Sequence, residues 1–361
     1  MATRSMVVID AASPLPYIDR RTVARRAHIV LGLFCAASMV ASLAIGPAGT
    51  SLWGALGQLM RGEVLSTLDQ VVLRDIRLPR MVLGALVGAA LAVSGAVLQG
   101  LFRNPLADPG IVGVSAGAAL GATSAIVLGA MLPLAVQNIV GNALIPLAAF
   151  LGSWIVVFVL YQVATHRGRT SVITMLLGGI ALAALAGACM GVLIYIADDA
   201  QLRDLTFWSL GSLGGATWIK VATAGPMIAL AIVAAALLGG SLNALALGEA
   251  AAHHLGIPVQ RVKRGAILCV AVATGSAVAV SGAIGFIGIV VPHLLRLSTG
   301  PDHGPLLINA ALLGAAFLVW ADVIARLIVA PAELPIGIIT AILGAPVFLW
   351  ILLRQRGSLM A

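Results

Sequence analysis

The sequence predicts an all-α integral membrane protein of about ten transmembrane helices, on three observations. Of its 361 residues, 61% are hydrophobic and 9% charged, far below the ~25% charged fraction of soluble domains. Apolar runs of roughly 20 residues, long enough to cross a ~30 Å hydrocarbon core as a helix, recur along the whole chain. Short polar segments between them hold most of the 21 lysines and arginines. The net charge of +8 is therefore spread over inter-span loops, which fits membrane topology and not nucleic-acid binding.

Residues 1–26 are polar, include Pro14 and Pro16 and lack a period. They are expected to form a cytoplasmic tail, with residues 27–361 as one polytopic membrane domain. Arg20, Arg21, Arg25 and Arg26 before the apolar run Ile29–Ile45 have the look of a signal peptide. Further spans follow, so a retained first helix over 27–47 is the better reading. The second span, 80–101, is headed by Arg77, Pro79 and Arg80. Its Gly84, Gly88, Ala89, Ala90 and Gly95 suit a helix packed tightly against other helices. The elbow Arg103-Asn104-Pro105 ends it, because the residue before proline disfavours helical geometry.

Spans are expected next at 111–131, 143–164 and 172–197. Residues 201–216 are too polar to cross, and Phe207, Trp208 and Trp218 suit a membrane–water interface, so a short surface helix is predicted there. After a span at 218–239, Glu249 to Ala252 favour a helix, with Gly256 as its stop and Pro258 just beyond. The run 264–297 is too long for one span and is interrupted by Gly282, Gly285 and Gly288. It divides into 264–283 and 284–297. The second piece, with Pro292, is short and broken or re-entrant, which is tolerated only inside protein or beside a cavity. The last spans fall at 306–329 and 336–353.

With both termini inside, fourteen basic residues lie in inner segments: Arg4, Arg20, Arg21, Arg25, Arg26, Arg103, Arg167, Arg169, Arg261, Lys263, Arg264, Arg296, Arg354 and Arg356. Seven lie outside: Arg61, Arg74, Arg77, Arg80, Arg203, Lys220 and Arg326. That asymmetry sets the expected orientation. The pentapeptide AVSGA at 92–96 and again at 279–283 hints at inverted repeats.

The chain has no GxxxxGK[ST] loop, and its only lysines are Lys220 and Lys263, so it cannot hydrolyse ATP by itself. Cys35, Cys189 and Cys269 are far apart in apolar runs and read as packing residues. The histidines (His28, His166, His253, His254, His293, His303) fall toward the inner side and none sits mid-span, which disfavours a fixed haem ligand; adjacent His253 and His254 lack the i, i+4 spacing of a metal pair. Asp322 is the one acid placed well inside a span. Arg326, four residues on, offers it a partner on the same helical face. An ion-coupled carrier working through Asp322 is the rival reading. An intramembrane hydrolase would need a nucleophile beside a base, and neither Cys189 nor any mid-span serine has a histidine at helical spacing.

Four motifs in order carry a resemblance: RLPR–AVSGAxxQ–RNPLADPGxxGVSxG from residue 77, LALGEAAAHHLGIPV (245–259), SGAIGFIGIVVPHLLR (281–296) and AELPIGIITAILGAPVFLW (332–350). The chain resembles FecCD-type permeases over about residues 74–353. These are the membrane subunits of type II ABC importers for haem, iron–siderophores and cobalamin. The resemblance implies an inner-membrane homodimer with two ATPase subunits and a periplasmic binding protein. ATP and magnesium sit on the ATPase, with no cofactor in this chain. It implies ATPase coupling through 248–260, on Gly248, Glu249, Ala252, Leu255 and Gly256. It further implies a cytoplasmic gate at Asn104, Pro105, Leu106, Thr170 and Ser171. Binding-protein docking falls on outer-face Arg77, Arg80 and Arg326. The segment 195–218 looks most like the haem-importing branch, with siderophore–iron and cobalamin as alternatives.

Overall fold

The computed structural model describes residues 20–47 and 49–359. The expected tail lies mostly outside them, and α1 (Arg20–Ala44) begins within its last part. Next come α2 (Leu52–Met60) and α3 (Thr67–Gln70). A π-helical segment, Val71–Arg77, then leads without a break into α4 (Leu78–Phe102). The second span thus begins well before residue 80. Its charged opening turns, carrying Arg74, Asp75 and Arg77, had concealed this. A 3₁₀ turn at Pro109–Val112 precedes α5 (Val114–Leu128), and α6 (Leu134–Val140) extends α7 (Leu144–Ala164) at its start. A two-residue hairpin, β1 (Thr165–His166) with β2 (Arg169–Thr170), joins α7 to α8 (Val172–Ile196).

The predicted surface helix is α9 (Asp199–Ser209), two residues earlier than expected at its start. Asp198 accepts from Gln201 N–H at 2.8 Å, while the Gln201 side chain accepts from Asp198 N–H, a reciprocal cap. Then follow α10 (Trp218–Leu237), α11 (Gly239–Ala246) and α12 (Glu249–His254). The chain ends with α13 (Val259–Ser281), α14 (Ile287–Thr299), α15 (His303–Ile328) and α16 (Ile336–Leu359).

Among the described residues, nine helical stretches are long and apolar enough to span, and α14 is a shorter tenth. The break expected in the run 264–297 falls at Gly282–Phe286. The 13 residues of α14 rise ~20 Å, and the five non-helical residues before it add at most ~17 Å. Together they can complete a crossing, which the shared direction of α13 and α15, both starting at the same end of the bundle, requires.

Helix α4 is the axis. Of its most apolar stretch 89% is buried, against 17% for α1 and 11% for α8. Small residues make this possible. A Cβ on Gly88 would run into the Gly314 carbonyl of α15, and one on Gly95 into the Gly288 carbonyl at the head of α14. Two helices can meet backbone to backbone there only because neither carries a side chain. The core continues through Leu83, Leu98, Leu306 and Leu318, all fully buried.

Two sequence expectations need correction. Cys189 is exposed on α8, not packed. The AVSGA copies lie on helices of opposite direction but at unequal places: 92–96 is well inside α4, whereas 279–283 runs over the end of α13, where Gly282 has φ +72°.

Candidate functional site

Polar side chains collect at the two ends of the helical bundle. One end gathers the start of α4, the ends of α1 and α15, and the loops before α10 and α16. We call it the arginine face.

At its centre Arg80 is 5% exposed. Its Nε donates to Asp322 Oδ1 at 2.9 Å, its Nη2 lies 2.8 Å from the same oxygen, and its Nη1 donates to Glu333 at 2.7 Å. Arg326 Nε lies 3.1 Å from Asp322 Oδ2, so the i, i+4 pair foreseen in the sequence forms. Asp322 thus sits between two guanidinium groups, which offset the desolvation of its buried charge. It does not stand alone at mid-membrane, and the ion-coupled reading loses its site.

Arg326, together with Arg77, also serves α1. The last carbonyls of any helix lack intrahelical donors. Here Arg77 Nη1 donates to Leu43 O at 2.6 Å, and Arg326 Nη2 to Ser42 O at 3.3 Å and Ser42 Oγ at 3.0 Å. Cationic groups suit the negative end of the helix dipole. Arg77 and Arg326 are 3% and 4% exposed. The resemblance assigns binding-protein docking to all three arginines; in the structure they are buried and tie helices together. Arg77 Nη2 is buried without a hydrogen-bond partner among the described residues. Nearby, Trp218 Nε1 donates to Arg74 O at 2.9 Å, Ser212 N–H to Ser281 O at 2.7 Å, and Ile336 N–H to Gly211 O at 3.0 Å.

The opposite end holds the elbow after α4, the β1–β2 hairpin, α11, α12 and the starts of α13 and α15. At the elbow Arg103 takes φ 51°, and Asn104 Oδ1 accepts from Leu106 N–H at 2.9 Å. This Asx turn is the local reason the chain stops and reverses. Arg103, Asn104 and Pro105 are exposed and Leu106 half-buried. Asp108 then caps the 3₁₀ turn by accepting from Gly110 N–H at 2.8 Å. Burial pushes its carboxyl above the usual range, against that hydrogen bond. Thr170 is buried, whereas Ser171 caps α8 by accepting from Thr174 N–H at 3.2 Å. The residues assigned to a gate thus share one end of the bundle, but Thr170 is a buried node and not an open wall.

Helix α12 forms where the sequence predicts it. Gly248 precedes it at φ +111° and Gly256 follows at φ +79°. Gly256 N–H donates to His253 O and Ile257 N–H to Ala252 O, both at 3.0 Å. That bond pair is the Schellman ending, which needs a left-handed residue after the helix. Ala252 is fully buried and Leu255 is 63% exposed, so α12 presents an outward side. Sequence reasoning missed Lys263 here. It is buried, 2.8 Å from Glu249 Oε1, and donates to Thr170 O at 2.8 Å. A lysine at the head of a helix reads only as an inner-side charge until the fold brings Glu249 and Thr170 to it.

Among the described residues, eight further long helices and the shorter α14 pack with buried α4 between two polar ends, which defines a polytopic helical membrane protein. The chain belongs to the FecCD transport family, whose model matches residues 34–354. It is an ABC importer permease. It is 49% identical over 285 residues to the hemin transport system permease protein HmuU of Yersinia pestis, covering 78% of this chain and 83% of that one. It is 47% identical over 287 residues to the cobalamin import system permease protein BtuC of Halobacterium salinarum, covering 80% and 74%. A vitamin B12 import system permease protein BtuC of Escherichia coli is 40% identical over 320 residues, covering 88% and 92%. Among solved structures, a metal-chelate type ABC transporter in an inward-facing conformation superposes with a TM-score of 0.80 at 31% identity. That alignment covers 91% of this chain and 99% of the other.

Proposed function

We propose that this chain imports haem across an inner membrane as the permease of an ATP-driven complex, assembled as a homodimer with two ATPase subunits and fed by a periplasmic binding protein. The observation that carries the substrate is the 49% identity to a hemin permease. The 47% match to a cobalamin permease keeps cobalamin as the second reading, and ferric siderophore is the third. Both termini are cytoplasmic in this proposal, so the arginine face is periplasmic.

The coupling role goes to 248–260. The capped helix α12 with exposed Leu255 is a compact knob of the kind an ATPase groove would accept. Asn104–Leu106 and Thr170–Ser171 are proposed to close the cytoplasmic end. Of the three docking arginines, Arg77 keeps a guanidinium nitrogen without a partner, while Arg80 and Arg326 are engaged with Asp322. Docking acids would therefore exchange with internal partners at these two. The exposed apolar side of α8, with Ile173, Leu177, Ile180 and Leu185 at 60–70% exposure, supports a second copy or lipid covering that helix.

The deciding experiment is transport by the reconstituted permease, ATPase and binding protein in proteoliposomes, offered haem, cobalamin and a ferric hydroxamate in turn. ATP-dependent accumulation of haem alone is the expected result. Accumulation of cobalamin or the hydroxamate in place of haem would replace the substrate.

A further inference from the structure

Lys263, on α13, brings together α12 and the β1–β2 hairpin, two segments far apart along the chain. Its ammonium lies 2.8 Å from Glu249 Oε1 at the first position of α12 and donates to the Thr170 carbonyl at 2.8 Å. Thr170 ends β2, directly before the capping residue of α8. From the same turn of α13, Gln260 Oε1 accepts from Thr170 N–H at 2.9 Å, so both backbone groups of Thr170 are held by α13. Thr170 Oγ1 pairs with Thr165 Oγ1 at 3.0 Å and closes the hairpin. The Lys263 side chain is 4% exposed. An ammonium tolerates such burial only when it is paired and hydrogen-bonded, and here it is both.

The covalent path between the hairpin and α12 is long, running through α8, α9, α10 and α11. Helix α12 has six residues and is bounded by Gly248 and Gly256, both at positive φ. Glycines at such positions let a short helix pivot about its ends. The hairpin lies 93 residues from Lys263 along the chain. A displacement of α12 therefore reaches the head of α8 through the Glu249–Lys263–Thr170 contacts and the burial of Ala252.

We infer that Lys263 is a positioning residue that makes α12 and the β1–β2 hairpin move as one body, so that a push on α12 is delivered to the start of α8. This rests on the reading of 248–260 as the ATPase-docking segment.

The test uses the assembled complex in proteoliposomes and two readouts. The first is substrate imported per ATP hydrolysed, using whichever of haem, cobalamin and ferric hydroxamate the unaltered complex carries. Lys263→Met keeps the stem and loses both contacts. It should lower the ratio by about tenfold, inside the roughly 5–150-fold span of ordinary coupling between sites. Lys263→Arg, with donors for both partners, should restore most of it. Glu249→Gln, at a half-exposed position, breaks one contact without threatening the fold and should give a smaller loss that does not add to that of Lys263→Met. The second readout is the distance between spin labels at His254→Cys and Arg167→Cys, with the native cysteines replaced. It should be the same with and without ATP in the otherwise unaltered chain, and should change with ATP when Lys263→Met is added. An unchanged transport ratio in Lys263→Met overturns the inference. So does a loss of transport matched by an equal loss of recovered ATPase, which would make Lys263 a support of the docking surface only. Failure of the unaltered chain to capture any ATPase refutes the importer reading first, and the relay falls with it.

Discussion

Arg80 and Asp322, 242 residues apart, meet side chain to side chain: Nε lies 2.9 Å from Oδ1 and 3.1 Å from Oδ2, and Nη2 lies 2.8 Å from Oδ1. The pair fastens the first turn of α4 to the last third of α15. With Arg326 and Glu333 the cluster holds two guanidinium groups and two carboxylates, so its formal charge is balanced.

Asp322→Asn should destabilise the permease by about 3–5 kcal/mol, the usual effect of removing one partner of a buried ion pair. It leaves Arg80 and Arg326 facing a neutral amide. Thermal unfolding of the purified permease and its steady-state level in the membrane check this. Replacing Arg80 and Asp322 together with leucine should recover part of the loss, because no charge of the pair is then stranded. A single Asn variant as stable as the parent would show that the cluster carries no stability.

Gly256→Pro should insert normally yet lose ATPase co-purification and ATP-driven uptake. Proline is held near φ −65°, whereas Gly256 sits at +79° and donates its N–H to His253 O. Gly256→Ala keeps the donor and needs only the left-handed strain of ~1–2 kcal/mol, so it should be the milder variant. Full uptake by the proline variant would remove α12 from the coupling path.

Gly88→Val should lower stability by about 1–3 kcal/mol or more, as overpacking does, because its Cβ is directed onto the Gly314 carbonyl. Gly187→Ala on α8, with nothing within 4 Å of the added carbon in the isolated chain, is the matched control. A melting temperature lowered in the first and unchanged in the second is the expected result. If Gly187→Ala instead disrupts assembly, a second protein surface covers that side of α8.

Reporter fusions at Gly62 and Ala200 should read periplasmic, and those at Gly168 and His254 cytoplasmic. The basis is fourteen basic residues on the expected inner side against seven outside. Two or more inverted readings would overturn the orientation and exchange the roles of the arginine and hairpin faces.

Features legible in the sequence were those set by local composition. The Asn104-Pro105 pair marked the elbow after α4, and alanines bounded by Gly256 and Pro258 marked α12. The glycines after Ser281 marked the break before α14, and i, i+4 spacing marked the Asp322–Arg326 pair. What was not legible depended on separation in sequence. No local rule relates Arg80 to Glu333, Arg77 to the carbonyl of Leu43, or Lys263 to both Glu249 and Thr170. Arg77 and Arg326, which the resemblance assigned to docking, are buried because α1 ends against them, and an isolated RLPR motif carries no trace of that neighbour. The helical turns of 67–77 were hidden for the opposite reason, since their charges read as a loop.

The burial of α4 also sets an order of events during synthesis. Arg80 leaves the ribosome 242 residues ahead of Asp322, a delay of about 12–48 s at ~5–20 residues per second. Throughout that interval the axial helix has no α15 to pack on and its first arginine has no carboxylate. The half-made permease must hold that charge at the headgroups or against the insertion machinery, and it can take its final arrangement only after its last third has been translated. Chains truncated before residue 322 should therefore persist as loosely associated spans, open to membrane proteases, even though more than half of their helices are already in place.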